Sequence, residues 1–207
     1  MKRVLITGFE PFADHKRNPS QALAEGLNGY MEERYRVESV VLPVSFDGAR
    51  DLLLRTLANH YDLVISLGLA ANRNQLSIEK IALNLIDAPI ADNVGNQPQD
   101  EKLVAEAPLA LMSNLPLRDI CANWQEHGLG GKVSYTAGTY VCNAVFYTLG
   151  HSQRASSNSW LWGFIHLPLE ENLELDRQRE AIIQAIELSL GVASSVDRSP
   201  NNSGEIS

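Results

Sequence analysis

Cysteine is scarce: only Cys121 and Cys142 occur in 207 residues. They lie far apart without CxxC spacing, which excludes a disulfide framework and fits a reducing cytoplasm. No HExxH motif and no clustered Cys/His spacing is present, so neither a catalytic metal nor another cofactor is indicated. Positive charge is also thin, with 17 Lys and Arg against 25 Asp and Glu, a net charge of -8. The basic residues are scattered, which leaves no electrostatic footprint for nucleic acid or an anionic membrane. No apolar stretch approaches the roughly 20 residues that span a bilayer. The apolar part of the opening segment is shorter than a secretory signal needs. A soluble, cytoplasmic protein is expected, in which the Asn-Xaa-Ser sequon at Asn201 has no glycosylation meaning. Internal repeats and interdomain linkers are likewise missing.

The chain does have apolar content, 44%, enough for one large domain with a sizeable core. Short β-branched or leucine-rich runs at 3–7, 37–44, 63–67, 76–85, 133–137 and 160–167 read as buried strands. Segments 19–30, 46–59, 101–112, 118–127, 142–151 and 175–190 have helical spacing between them. This alternation predicts a single-domain α/β fold, a mainly parallel sheet with helices on both faces. The domain is expected over 1–192, and 193–207, rich in Ser, Asn, Pro and Gly, reads as a disordered polar tail. Ligands of such sheets bind outside the carboxyl edge of the strands, so the loop Thr7-Gly8-Phe9-Glu10-Pro11-Phe12 after the first strand is a candidate site.

Cys142 falls where a strand-like stretch turns through Gly138 into a helical one. A thiol at a helix's first turn faces the positive end of the dipole, which favours thiolate. The other reading is a buried structural cysteine. A thiolate nucleophile needs a base, usually histidine. His15 lies in a polar loop, His60 and His127 close predicted helices, and His151 ends the helix begun near Cys142, all with structural explanations. His166 ends an apolar run, Gly163-Phe164-Ile165-His166, and is either a satisfied core histidine or a catalytic one at a strand's carboxyl edge. Glu79 interrupts another apolar run. A carboxylate there is costly unless paired, so Glu79 either orients an imidazole or marks the solvent face beside Lys80. Gly128-Leu129-Gly130-Gly131-Lys132 lacks phosphate-loop spacing and reads as a helix-to-strand turn. Asp87 and Asp92-Asn93 either bind substrate or serve turn chemistry, the commoner use.

Together these strings resemble the pyroglutamyl peptidase I family, also called pyrrolidone carboxyl peptidases, over roughly the first 190 residues. Gly8-Phe9-Glu10-Pro11-Phe12 with Asn18-Pro19-Ser20 resembles the amino-terminal signature. Gly68-Leu69-Ala70-Ala71-Asn72-Arg73, then Glu79, Asn84 and Asp87, resembles the glutamate signature, continuing into Asp92-Asn93-Val94-Gly95. Thr136 to Asn143 is similar to the cysteine signature, and Gly163 to Pro168 to the histidine one. The resemblance implies a cysteine omega peptidase of phosphorylase/hydrolase-like fold that removes N-terminal pyroglutamate from peptides. It makes Cys142 the nucleophile, His166 the acid/base and Glu79 the orienting carboxylate. It places the lactam pocket at Phe9, Phe12, Asn18, Tyr140 and Val141, and implies a homotetramer. Aromatic walls and few charges suit a flat, uncharged ring.

Two departures stand out. Ala13-Asp14 replace glycines found in many relatives. Pro89 stands where relatives commonly carry an arginine near the active site, which predicts a higher thiol pKa and an alkaline optimum, unless Arg73 compensates. These departures motivate an alternative from another class, a non-catalytic binder of pyroglutamyl or other small cyclic amides. A third reading is a redox sensor at Cys142.

Overall fold

The computed structural model describes residues 1–13 and 16–192. The chain runs β1 (Lys2–Phe9), α1 (Pro19–Leu27), β2 (Tyr35–Leu42), α2 (Phe46–Leu57), β3 (Leu63–Leu69), β4 (Ser77–Glu79) and β5 (Ile81–Leu83). It continues through β6 (Ala110–Met112), α3 (Leu117–Glu126), β7 (Lys132–Ser134), α4 (Val141–Ala155), β8 (Leu161–Leu167) and α5 (Leu175–Leu190). Six strands form one sheet in the order β2-β1-β3-β8-β4-β7, and β5 and β6 form a separate pair. β1, β2, β3 and β8 are mutually parallel, while β4 pairs antiparallel with β8 and parallel with β7.

Side chains alternate across this sheet, so each strand feeds two cores. Val4, Ile6, Leu63, Ile65, Leu67, Ile165 and Leu167 face one, where Leu23 and Leu27 of α1, Ile120 and Trp124 of α3, and Ile182 and Ile186 of α5 cover them. Leu5, Phe9, Val64, Trp162 and Phe164 face the other, under Phe46, Ala49 and Leu53 of α2 and Val145 and Phe146 of α4. Each fully buried Ile or Leu contributes about 1.5–3 kcal/mol, which is why strands this apolar must be sandwiched. Both faces are therefore helix-covered, as the alternation predicted. Among the described residues no helix is long and apolar enough to cross a membrane.

Gly8 lets α1 lie flush on the end of β1: a Cβ there would come within 2.0 Å of the Ser20 carbonyl oxygen. Asn18 starts α1 as its N-cap, its Oδ1 accepting from the Ser20 N–H at 3.0 Å and the Ser20 hydroxyl at 2.8 Å. Ser20 Oγ in turn accepts from the Phe9 N–H at 3.0 Å. The cap thus fixes the loop after β1.

Two expected elements differ. The helix expected over 101–112 does not form; Glu101 bridges Ile86 and residues 110–112 become β6. Pro108 lacks an N–H and disfavours helix before it. The Asn84 side chain captures the freed backbone, bonding Val104 N–H, Val104 C=O and Ala107 C=O. The strand expected over 76–85 is two strands in two sheets, broken at Lys80, whose N–H bonds Ser134 C=O and whose C=O accepts from Ser113 N–H. Asp14, His15 and the tail expected over 193–207 lie outside the described residues.

Candidate active site

The site assembles at the carboxyl end of β8, on the face covered by α4. In the sheet register Gly68 of β3 pairs with His166 of β8, and His166 pairs with Ser77 of β4. Paired residues share a face, and Glu79 shares it two residues along β4. His166 and Glu79 are both buried, and His166 Nδ1 lies 2.7 Å from Glu79 Oε1. The same oxygen accepts from Arg73 Nη1 at 2.6 Å, while Arg73 Nη2 donates to the Thr136 carbonyl at 3.1 Å. Burial alone would raise the Glu79 pKa, but the His166 bond and charge, helped by Ser134 and Arg73, lower it overall. Glu79 is thus a carboxylate, His166 Nδ1 donates to it, and Nε2 is the ring nitrogen left to exchange protons.

Cys142 is the second residue of α4, after an extended N-cap, Tyr140, that makes no side-chain cap. The first bond of this helix runs from Ala144 N–H to Tyr140 C=O, so the amides of 141–143 point out of the helix start. Asn143 pins that turn in place: its Oδ1 accepts from Leu83 N–H and its Nδ2 donates to Leu83 C=O and Leu85 C=O, each at 2.9 Å. Cys142 Sγ lies against Gly68, where a Cβ would come within 2.9 Å of the sulfur and 2.8 Å of the Phe164 ring. Gly68 is the register partner of His166, so the sulfur packs on the residue paired with the histidine. Of the residues singled out in sequence, Glu79 and His166 are joined by a hydrogen bond, and Cys142 packs on the glycine paired with His166.

The thiol does not behave as the helix-dipole argument expects. Its pKa is pushed up to about 12, first by burial and then by the Glu79 charge, against the opposing pull of Arg73 and the helix backbone. A helix terminus offers about 0.3–1 kcal/mol, under one pKa unit, whereas burial can shift a group by several. Burial wins, and the resting group is a thiol. The leading cause is burial, and residue 89 is not among the groups acting on the sulfur; Pro89 itself is exposed in the loop after β5. Cys121, deep in the other core, is pushed up to about 11 by burial alone.

Beside Cys142 lies a small, almost wholly apolar recess. All five residues expected to bind the lactam, Phe9, Phe12, Asn18, Tyr140 and Val141, line it, joined by Val44 and Leu69. Those two follow from the rule that strand carboxyl ends face the ligand: Val44 lies just past β2 and Leu69 ends β3. The Tyr140 ring meets Phe12 at 6.4 Å and Phe46 edge-on at 5.5 Å. Asn18 spends its oxygen on the α1 cap, and its Nδ2 donates to the Glu10 carbonyl at 3.1 Å, so it is first a builder of the wall.

A loop over 87–98 is strapped beside this recess. Tyr140 OH donates to Ala91 C=O, Thr139 Oγ1 to Asp87 C=O, and Asn93 Nδ2 to Glu10 Oε1 and Pro11 C=O. Asp92 is nearly fully buried and closes the loop, accepting from the Val94 and Asn96 amides and, across to α2, from the Phe46 amide. Turn and cap chemistry is what Asp92 does here. His151 stacks on Tyr147, His127 Nδ1 lies 2.9 Å from Asn123 C=O, and the turn expected over 128–132 lies between α3 and β7, with Lys132 already the first residue of β7.

Comparison with known proteins meets this geometry. A profile of the family described as pyroglutamyl peptidase matches residues 2–194. The pyrrolidone-carboxylate peptidase of Bacillus subtilis (strain 168) is 37% identical over 209 residues, covering 98% of this chain and 97% of that one. Its counterpart from Yersinia pestis (strain Pestoides F) is 36% identical over 204 residues, 95% of each chain. Among solved structures, the pyrrolidone carboxyl peptidase from Thermococcus litoralis superposes with a TM-score of 0.89 at 37% identity, covering 92% of this chain and 94% of that one. With the α/β architecture shared over nearly the whole length and the family profile spanning almost every residue, the chain belongs to the pyroglutamyl peptidase family.

Proposed function

We propose that this protein hydrolyses the bond between an N-terminal pyroglutamyl residue and the rest of a peptide, with Cys142 as nucleophile, His166 as acid/base and Glu79 as orienting carboxylate. The observation that carries this reading is the buried Glu79–His166 pair at 2.7 Å, on the face and end of the sheet where Cys142 borders an apolar recess. The flat, uncharged lactam rests between Phe9, Phe12, Tyr140 and Val141, with Asn18 holding the wall. A free glutamyl terminus would bring charge into the same space and is rejected by the cost of desolvation.

Because the resting sulfur is a thiol, the first step is general-base catalysis. His166 Nε2 takes the Sγ proton as sulfur attacks the pyroglutamyl carbonyl carbon. The negative charge passes to the carbonyl oxygen, which the outward amides at the start of α4 stabilise. The imidazolium, held by Glu79, returns its proton to the leaving amine as the C–N bond breaks, giving a thioester and a free peptide. Water then attacks the thioester, giving its proton to His166, and pyroglutamate leaves as the thiol reforms. A binder without turnover would have no use for a buried carboxylate–imidazole pair beside a thiol.

The decisive experiment follows release of a fluorescent amine from a pyroglutamyl amide by reduced protein. Cys142→Ser is expected to lower kcat by about 10³-fold or more; full turnover in that variant would refute the mechanism. The same reading includes a reducing cytoplasm, which keeps the nucleophile free, and a homotetramer. Leu109 and Met112, 74% and 66% exposed beside and within β6, supply apolar surface that a second copy could cover.

A further inference from the structure

Glu79 Oε1 carries two donors, and only one belongs to the nucleophile–base–carboxylate set. The second is Arg73, in the loop between β3 and β4, whose planar fork also reaches the Thr136 carbonyl in the segment between β7 and α4. One guanidinium therefore ties three pieces of chain around the site: the loop after β3, the carboxylate of β4, and the connection that delivers Cys142. We infer that Arg73 is a positioning residue of this reaction, the fixed cation that balances the Glu79 charge beside the thiol while its fork holds the approach to α4. The inference rests on the reaction proposed above.

The charges make the case. Among the described residues, the ionisable groups around Cys142 are Glu79 from β4, Arg73 from the β3–β4 loop, Tyr140 at the start of its own helix, and His166 from β8, whose register partner Gly68 touches the sulfur. With His166 neutral and the thiol protonated, Glu79 and Arg73 cancel. After the proton moves from sulfur to imidazole the four charges still sum to zero. Without Arg73 the buried site carries an uncompensated negative charge at the moment sulfur becomes negative, which low polarity makes costly. Sharing one oxygen has a second effect: a cation already on Glu79 Oε1 weakens the support the carboxylate gives the imidazolium through Nδ1–H, which makes the Nε2 proton more acidic toward the leaving amine. Lysine could supply the charge but not both contacts, because only a guanidinium presents two diverging N–H donors in a plane.

Arg73→Gln and Arg73→Lys separate charge from architecture. The primary readout is the pH dependence of Cys142 alkylation by iodoacetamide, followed by mass spectrometry of the Cys142 peptide, which needs no substrate. Arg73→Gln is expected to displace the rising limb upward by about one pH unit or more. It should also lower kcat for a pyroglutamyl amide about tenfold or more at neutral pH, with KM changed less than about threefold. Arg73→Lys should keep the limb within about half a unit of wild type and recover part of kcat. An unmoved limb in Arg73→Gln overturns the inference, as does an equal displacement in both variants, which would assign Arg73 a purely architectural role. If Arg73→Gln does not fold, Arg73→Lys decides alone: a limb displaced by a unit or more refutes the charge argument, and a retained limb supports it. Displacement in a protein whose wild type releases no amine would refute the peptidase reading and leave the electrostatic role of Arg73 standing.

Discussion

At the scale of single residues, the site depends on one carboxylate kept ionised in a place where burial opposes ionisation. Glu79 has a folded-state pKa below its ordinary value because His166 and Arg73 bond its oxygen and outweigh desolvation. The sign of the linkage follows. Its stabilising contribution is complete above the unfolded value of about 4 and is lost as pH falls through the folded value. Glu79→Gln is therefore expected to cost about 1–3 kcal/mol at pH 7. The stability gap between wild type and variant should close as pH drops below about 4, measured by urea unfolding across a pH series; a gap independent of pH would mean that Glu79 is not ionised in the fold. Gly68 makes a different residue-scale point. Its sequence neighbourhood, Leu67-Gly68-Leu69, looks like ordinary strand, and the need for glycine comes only from Cys142 Sγ and Phe164 closing over it.

Among elements, α4 matters most, because it presents Cys142 from its first turn without a side-chain N-cap of its own. Its orientation is set by Asn143, which acts as an extra strand edge toward 83–85. Asn143→Ala would leave a backbone N–H and two carbonyls there without these partners. We expect a loss of about 2–3 kcal/mol in chemical denaturation, and a fall in kcat larger than the change in KM, because the thiol rather than the recess is displaced. Retention of wild-type kcat would show that α4 is positioned by apolar packing alone. The sequence was legible here in part. Helical spacing over 142–151 marks α4, with Cys142 in its first turn. Apolar spacing over 101–112 mimics a helix, while the Asn84 side chain and Pro108 impose a looped path that ends in β6. Asn84 is distant in sequence, and no local pattern reports it.

For the whole molecule, the alternation of strand side chains divides the protein into two cores, and only the core under α2 and α4 opens into the site. Chemistry and stability are thereby separated across the sheet: Cys121 sits in the closed core and Cys142 at the mouth of the open one. The net charge of -8 disperses over the surface, but Leu109 and Met112 do not join that polar coat. Light scattering on the reduced full chain is expected to give four times the 22.8 kDa chain mass, and Met112→Glu to lower it. A monomer of wild-type protein would remove the tetramer from the reading.

Sequence by itself determined the class of fold and singled out Glu79, Cys142 and His166 as the candidate reacting groups. Strand-length and helix-length apolar periods alternate along the chain, and Glu79 and His166 interrupt apolar runs in a way that demands partners. Tertiary structure alone decided three further matters. Cross-strand register puts Gly68, His166 and Ser77 in one row, and the reversed direction of β4 brings Glu79 onto the His166 ring. Arg73 joins the same oxygen from a separate loop. The thiol is neutral at rest because enclosure by distant elements outweighs the helix it starts. The physical reason is one of range: backbone propensity and periodicity act over a few residues and can be read in order, whereas register, burial and the field at a buried group are sums over segments that meet only when the chain has folded.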